Sequence, residues 1–90
     1  MRTLEIVHLR RCGPDLAGLR RQIRDSLGQT ADSAAHVTVY RRCGLGTDFA
    51  IHIHHRARTL AARPTVLGER LADALRQHGM VAHSLWEELL

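Results

Sequence analysis

Two histidines, His52 and His54, stand two residues apart in the run Phe49-Ala50-Ile51-His52-Ile53-His54-His55. Apolar and polar residues alternate there with period two, the pattern of a strand with one greasy face and one imidazole face. Imidazoles so spaced lie about 6.5–7 Å apart along the strand. They are close enough to share an organic ligand, a metal ion or a water network. Neutral imidazole is a common metal ligand and titrates near neutral pH, so the pair reads either as acid–base groups or as part of a metal site. The competing reading is structural: histidines that fill a half-polar interface.

Other residues can join the pair. His8 and His83 sit in strand-like segments near the two ends of the chain. Glu5 and Asp48 are the acids placed to steady an imidazole. Arg10, Arg11, Arg41 and Arg42 form two matching Arg-Arg-Cys-Gly steps, each after a strand and before a glycine break. Arginines gathered at one end of a sheet can grip a carboxylate or phosphate in bidentate fashion, although a solvated rim would look the same. Tyr40 and Trp86 are aromatic groups able to wall a pocket. Cys12 and Cys43, one in each repeat, read as small buried thiols rather than a redox pair, since one intervening strand holds them about 9–10 Å apart.

The elements that position these residues follow from periodicity. Leu4 to Arg10 reads as a first strand. Gly13-Pro14-Asp15 ends it and opens a helix reaching about Leu27, with Leu16, Leu19, Ile23 and Leu27 on one stripe. His36 to Arg41 and Phe49 to His55 form a hairpin around Gly44-Leu45-Gly46-Thr47-Asp48. Pro64 opens a second helix to about His78, with Leu67, Leu71, Ala74, Leu75 and His78 on its stripe. Gly79 closes it, and Val81 to Glu87 is a fourth strand. The order predicts one domain over residues 1–90: a ferredoxin-like α+β sandwich, βαββαβ, with a four-stranded antiparallel sheet and two helices on one face.

Phe49, Ile51, Ile53, Val37, Val39, Val7 and Leu9 then face the helices. His36, Thr38, Tyr40, Ala50, His52 and His54 line the open face, with Leu4, Ile6, His8 and Arg10, while the opposite parity of the first strand would also bury apolar groups. Either set of the last strand, Val81-His83-Leu85 or Ala82-Ser84-Trp86, can face out. A mixed apolar face of this kind calls for a cover, and a second copy is the simplest one.

Composition narrows the classes. The chain has 90 residues, 44% of them hydrophobic, and a net charge of +4. All 13 basic residues are arginine, and there is no asparagine. There is no apolar run long enough for a membrane helix, and the acid and histidine near the start do not fit a signal peptide, so a cytoplasmic location is expected. The charge admits anionic partners. The sheet, however, offers His52 and His54 where stacking aromatics would serve nucleic acid, which argues against that partner.

The βαββαβ order at this length, and the ending Leu67-Gly68-Glu69-Arg70-Leu71 to Leu75-Arg76-Gln77-His78-Gly79-Met80-Val81-Ala82-His83-Ser84-Leu85-Trp86, resemble the dimeric α+β-barrel superfamily, which includes antibiotic-biosynthesis-type monooxygenases and stress-responsive barrels. The resemblance implies a homodimer, in which two sheets form an α+β barrel around a ligand pocket, and in some members a cofactor-independent oxygenase activity. Oxygenase members often use an Asn–Trp pair, and this chain has no asparagine. The combined expectation is a small, aromatic or acidic organic ligand on the open face. His52 and His54 serve as its polar or catalytic groups, with His8, His83, Arg10, Arg41, Tyr40 and Trp86 binding around them. No cofactor is expected and no metal ligand is assigned. A His-based metal-binding protein and a noncatalytic partner- or nucleic-acid-binding module are the alternatives.

Overall fold

The computed structural model describes residues 3–12, 16–28, 35–44, 46–55 and 64–89. The expected helix opening at Gly13-Pro14-Asp15 and the side chain of Leu16 lie outside them, as do Arg56 and Arg58, which with His55 read in the sequence as a basic loop after the third strand. Strand β1 (Thr3–Arg11) leads to helix α1 (Leu16–Gly28). The hairpin β2 (Ala35–Arg41) and β3 (Asp48–His55) follows, then helix α2 (Val66–Leu75), a 3-10 turn at Arg76–His78, and β4 (Gly79–Glu87). The strands lie in the order β2-β3-β1-β4, each antiparallel to its neighbour. This is the ferredoxin-like α+β arrangement.

The core follows from the two periodicities. Every second residue of β1 and β3 points under the helices, so Val7, Leu9, Phe49, Ile51 and Ile53 are buried. They meet Leu19 and Ile23 of α1 and Leu67, Leu71, Ala72 and Leu75 of α2. Burial of a large aliphatic side chain contributes about 1.5–3 kcal/mol, so this one cluster supplies most of the driving force. Helix α2 begins at Thr65, an extended N-cap whose hydroxyl accepts from Gly68 N at 3.1 Å. The second helix is shorter than its apolar stripe suggests. Its last turn tightens into the 3-10 segment, and β4 begins two residues earlier than expected, at Gly79. The backbone passes so close to the Arg10 carbonyl there that any Cβ would collide.

Candidate functional site

The register turns the open face into four rows across β4, β1, β3 and β2. The first holds Met80, Arg10 and Asp48. The second holds Ala82, His8, Ala50 and Tyr40; the third Ser84, Ile6, His52 and Thr38; the fourth Trp86, Leu4, His54 and His36. All are side chains of one sheet face, because strands alternate and the register is in phase. His8, Arg10, Tyr40, His52, His54 and Trp86 therefore share a surface.

Small residues decide where that surface is hollow. Ala50 lies between the larger His8 and Tyr40, and a groove of about 320 Å³ opens over it. His8 and Tyr40 line its sides, with Arg10, Arg41, Arg42 and Asp48 toward the sheet's end. The Tyr40 and His52 rings meet edge-on, centroids 4.7 Å apart, so His52 adjoins Tyr40 at the groove's inner side. His52 and His54 are 6.3 Å apart between centroids, and His54 is 6.0 Å from His36. His54 and Trp86 line a second hollow with Leu4, Glu87 and Glu88. Trp86 there donates its indole N–H to Ser84 Oγ at 2.9 Å. Four of the expected ligand contacts, His8, Arg10, Tyr40 and Arg41, thus converge on one groove, while Trp86 belongs to another.

Asp48 organises the groove's charge. Its side chain is buried, 4% exposed, yet it lies 3.6 Å from His8 Nε2, 3.6 Å from Arg10 Nε and 3.5 Å from Arg42 Nη1. The Thr47 hydroxyl donates to Oδ1 at 3.1 Å. Burial pushes the Asp48 carboxyl up, but the Thr47 hydrogen bond, Arg10, Arg42 and His8 together outweigh it and leave it below the ordinary carboxylate value. One carboxylate does not neutralise two guanidiniums, so the groove stays electropositive. His52 is shifted the other way for a base. Burial first, then repulsion from His54, holds its imidazole below the ordinary histidine value. It faces the sheet surface as a neutral acceptor.

His83 does not join this group. The register places it on the helical side, and its Nε2 lies 2.5 Å from Glu5 Oε2. Glu5 is fully buried and also accepts from His55 Nε2 at 3.2 Å, Thr65 N at 3.1 Å and the Thr65 hydroxyl at 2.6 Å. The physical reason is parity: β4 pairs with β1 so that His83 stands opposite Val7, a core residue. Hence the expected grouping of His83 with His8, His52 and His54 is corrected. The thiol expectation is corrected too. Cys12 and Cys43 are both exposed, since each lies just past a strand end.

Sequence reasoning named Glu5 and Asp48 only as possible partners for an imidazole. Their burial is legible in part, because Glu5 shares the alternation of Val7 and Leu9. Among the described residues, no three His, Cys, Asp or Glu side chains are arranged to hold a metal ion. No helix among them is long and apolar enough to cross a membrane.

No protein-family profile matches this chain, and no curated protein matches its sequence. Among solved structures, Rv0793 from Mycobacterium tuberculosis is similar, with a TM-score of 0.71 at 14% identity. The match covers 99% of this chain and 96% of that one. At that identity the likeness shows a shared fold across the whole chain.

Proposed function

We propose that this chain binds a small aromatic carboxylate in the groove over Ala50, and that a second copy covers the open face to make a dimeric α+β barrel. The observation that carries the reading is the hollow between His8 and Tyr40, closed at one end by Arg10 and Arg42 in excess over Asp48. A flat ring fits over a methyl floor between two ring-bearing walls, and its carboxylate meets guanidinium donors. The volume, about 320 Å³, sits at the small end of ligand pockets.

The dimer is supported by what the open face exposes. Trp86 is 58% exposed, Met80 72% and Tyr40 49%, beside the half-buried Leu4 and Ile6. Apolar groups so grouped on one sheet face are better buried than wetted. A twofold partner would bury the same face of both copies. If turnover accompanies binding, the neutral His52 beside Tyr40 takes the proton of a phenolic ligand. Molecular oxygen then oxidises the phenolate, one oxygen atom entering the ring to give a quinone and the other leaving as water.

Titration calorimetry with benzoate- and phenylacetate-type acids tests the binding. Ala50→Leu fills the floor without removing a polar group and is expected to abolish heat of binding. Neutral amide analogues are expected to bind at least tenfold more weakly, about 1.4 kcal/mol. Light scattering on the eluting protein measures the mass. A monomer at tens of micromolar, or acids and amides bound alike, sinks the respective half of the proposal. Oxygen uptake with phenolic acids tests the turnover; its absence across a broad panel leaves a binding protein.

A further inference from the structure

We infer that the outer edge of β2, with the neighbouring face of α1, docks an extended acidic segment of another protein as an added strand. The surface adjoins the groove over Ala50, with Tyr40, Arg41 and Phe49 bordering both, but its apolar floor lies on the helical side and it does not depend on that proposal. Among the described residues, strand β2 lies at the end of the sheet and pairs only with β3. An edge of this kind presents backbone N–H and C=O groups to any chain that can align with it.

Among the described residues, the helical side of that edge is left open. Leu19 and Ile23 of α1 and Phe49 and Val39 of the sheet border a groove of about 350 Å³. Val39 is 43% exposed although it points toward the helical layer. Alternate side chains of an added strand would fall into this groove, since residues i and i+2 share a face.

Charge selects the partner. Arg20 and Arg41 form the polar rim of the groove, and Arg21 and Arg24 continue the positive face along α1. Among the described residues, none of these four arginines makes an ion pair, whereas Arg10 and Arg42 are engaged with Asp48. Asp25 is the one acid in the α1 segment. The complementary ligand is a strand with an apolar side chain flanked, two residues to either side, by carboxylates. The apolar group enters between Leu19, Ile23 and Phe49, and the carboxylates reach Arg20 and Arg41. A nucleic acid would use the arginines but neither the edge nor the apolar groove, and among the described residues lining the groove Tyr40 is the one exposed aromatic side chain.

The test uses a labelled seven-residue peptide in which threonine alternates with Glu, Leu and Glu, followed by fluorescence anisotropy. Saturable binding is expected, weakened about tenfold or more by Arg20→Glu with Arg41→Glu. Arg70→Glu, on α2 outside the groove and its positive face, is expected to change it by less than about threefold. A proline replacing one of the edge-facing threonines is expected to abolish binding, because it removes a main-chain donor. Hydrogen exchange should show new protection at amides of residues 37–41. All the substituted residues are exposed, and thermal melts check that the variants fold. The inference is overturned by no binding at millimolar peptide, by equal binding of the proline peptide, or by single-stranded RNA of equal charge displacing the peptide from a tighter complex.

Discussion

Glu5 and Asp48 are both buried carboxylates ringed by histidine and hydroxyl groups, yet they lie on opposite faces of one sheet and are completed differently. Glu5 takes all its hydrogen bonds from inside the fold: His55, His83, and the amide and hydroxyl of Thr65. These donors come from β3, β4 and the cap of α2, so one side chain of β1 ties three other elements together. Asp48 instead faces Arg10 and Arg42, both more than half exposed, and His8. Its donors carry more charge than it can cancel and remain open to solvent. A saturated buried acid closes a core, whereas an outnumbered one leaves charge for something else to meet.

The largest effect should come from breaking the saturated side. Glu5→Ala removes the acceptor for two imidazoles and for the cap of α2 and leaves their donors buried. A loss of about 3 kcal/mol is expected, the usual scale for removing one partner of a buried network. Glu5→Gln keeps the shape and part of the acceptor capacity and should cost less than half as much. Urea denaturation measures both. Equal stability of Glu5→Ala and the parent would show that the cluster contributes nothing to the fold.

Gly68 tests the same cluster from the helix side. Glycine to alanine inside a helix ordinarily stabilises by about 1 kcal/mol. Here a Cβ would run directly into the Glu5 carboxylate. Gly68→Ala is expected to reverse the usual sign and to destabilise by about 1–3 kcal/mol, the cost of overpacking. In the background of Glu5→Ala the helix preference should reappear, so the two substitutions are strongly non-additive.

These contrasts also mark how far the amino-acid pattern could be read. The alternation in Phe49–His55 sets the face of His52 and His54, because that strand has a clear greasy side; Leu4–Arg10 is apolar on both faces, and its pairing with β3 places His8 and Arg10. β4 was unreadable, since Val81, His83 and Leu85 are no more apolar as a set than Ala82, Ser84 and Trp86. Only pairing with β1 places His83 opposite Val7. Asp48 reads as a turn residue because acids favour turns. Its burial comes from the neighbouring strand, which brings Arg10 across from it. The groove depends on Ala50 being small between His8 and Tyr40, a relation among three strands that no single segment contains. Cys12 and Cys43 are exposed against expectation because hydrophobic character says nothing about a residue one or two steps beyond a strand's end.

On the open face the expected effects are smaller. Asp48→Asn removes the one acid among the groove's cations, so an aromatic carboxylate should bind about threefold more tightly. Its pH signature has a definite sign. The folded carboxyl sits below its ordinary value, so its stabilising contribution is complete above the ordinary carboxylate range. That contribution is lost as pH falls through this range toward the lowered value. The difference in stability between the parent and Asp48→Asn should therefore shrink below about pH 4. A difference that is flat across the acid range would detach Asp48 from its three cations.

The smallest effect is a shift in one titration, and it bears on what the imidazoles of the groove can do. His52 is held neutral below the ordinary histidine value first by burial and then by His54. Its folded form therefore resists a proton that the unfolded chain accepts, so this group erodes stability as pH falls below about 6.5. Removing the neighbouring charge with His54→Ala should raise the His52 midpoint without restoring it fully, since burial remains. The Cε1 proton of His52, followed by NMR through the pH range, reports this directly. Ligand carboxylate bound near Arg10 should move the midpoint upward as well, because an anion favours the imidazolium. A His52 midpoint that ignores both His54→Ala and an aromatic acid would separate the imidazole pair electrostatically from the groove over Ala50, and with it the case for His52 as a proton acceptor there.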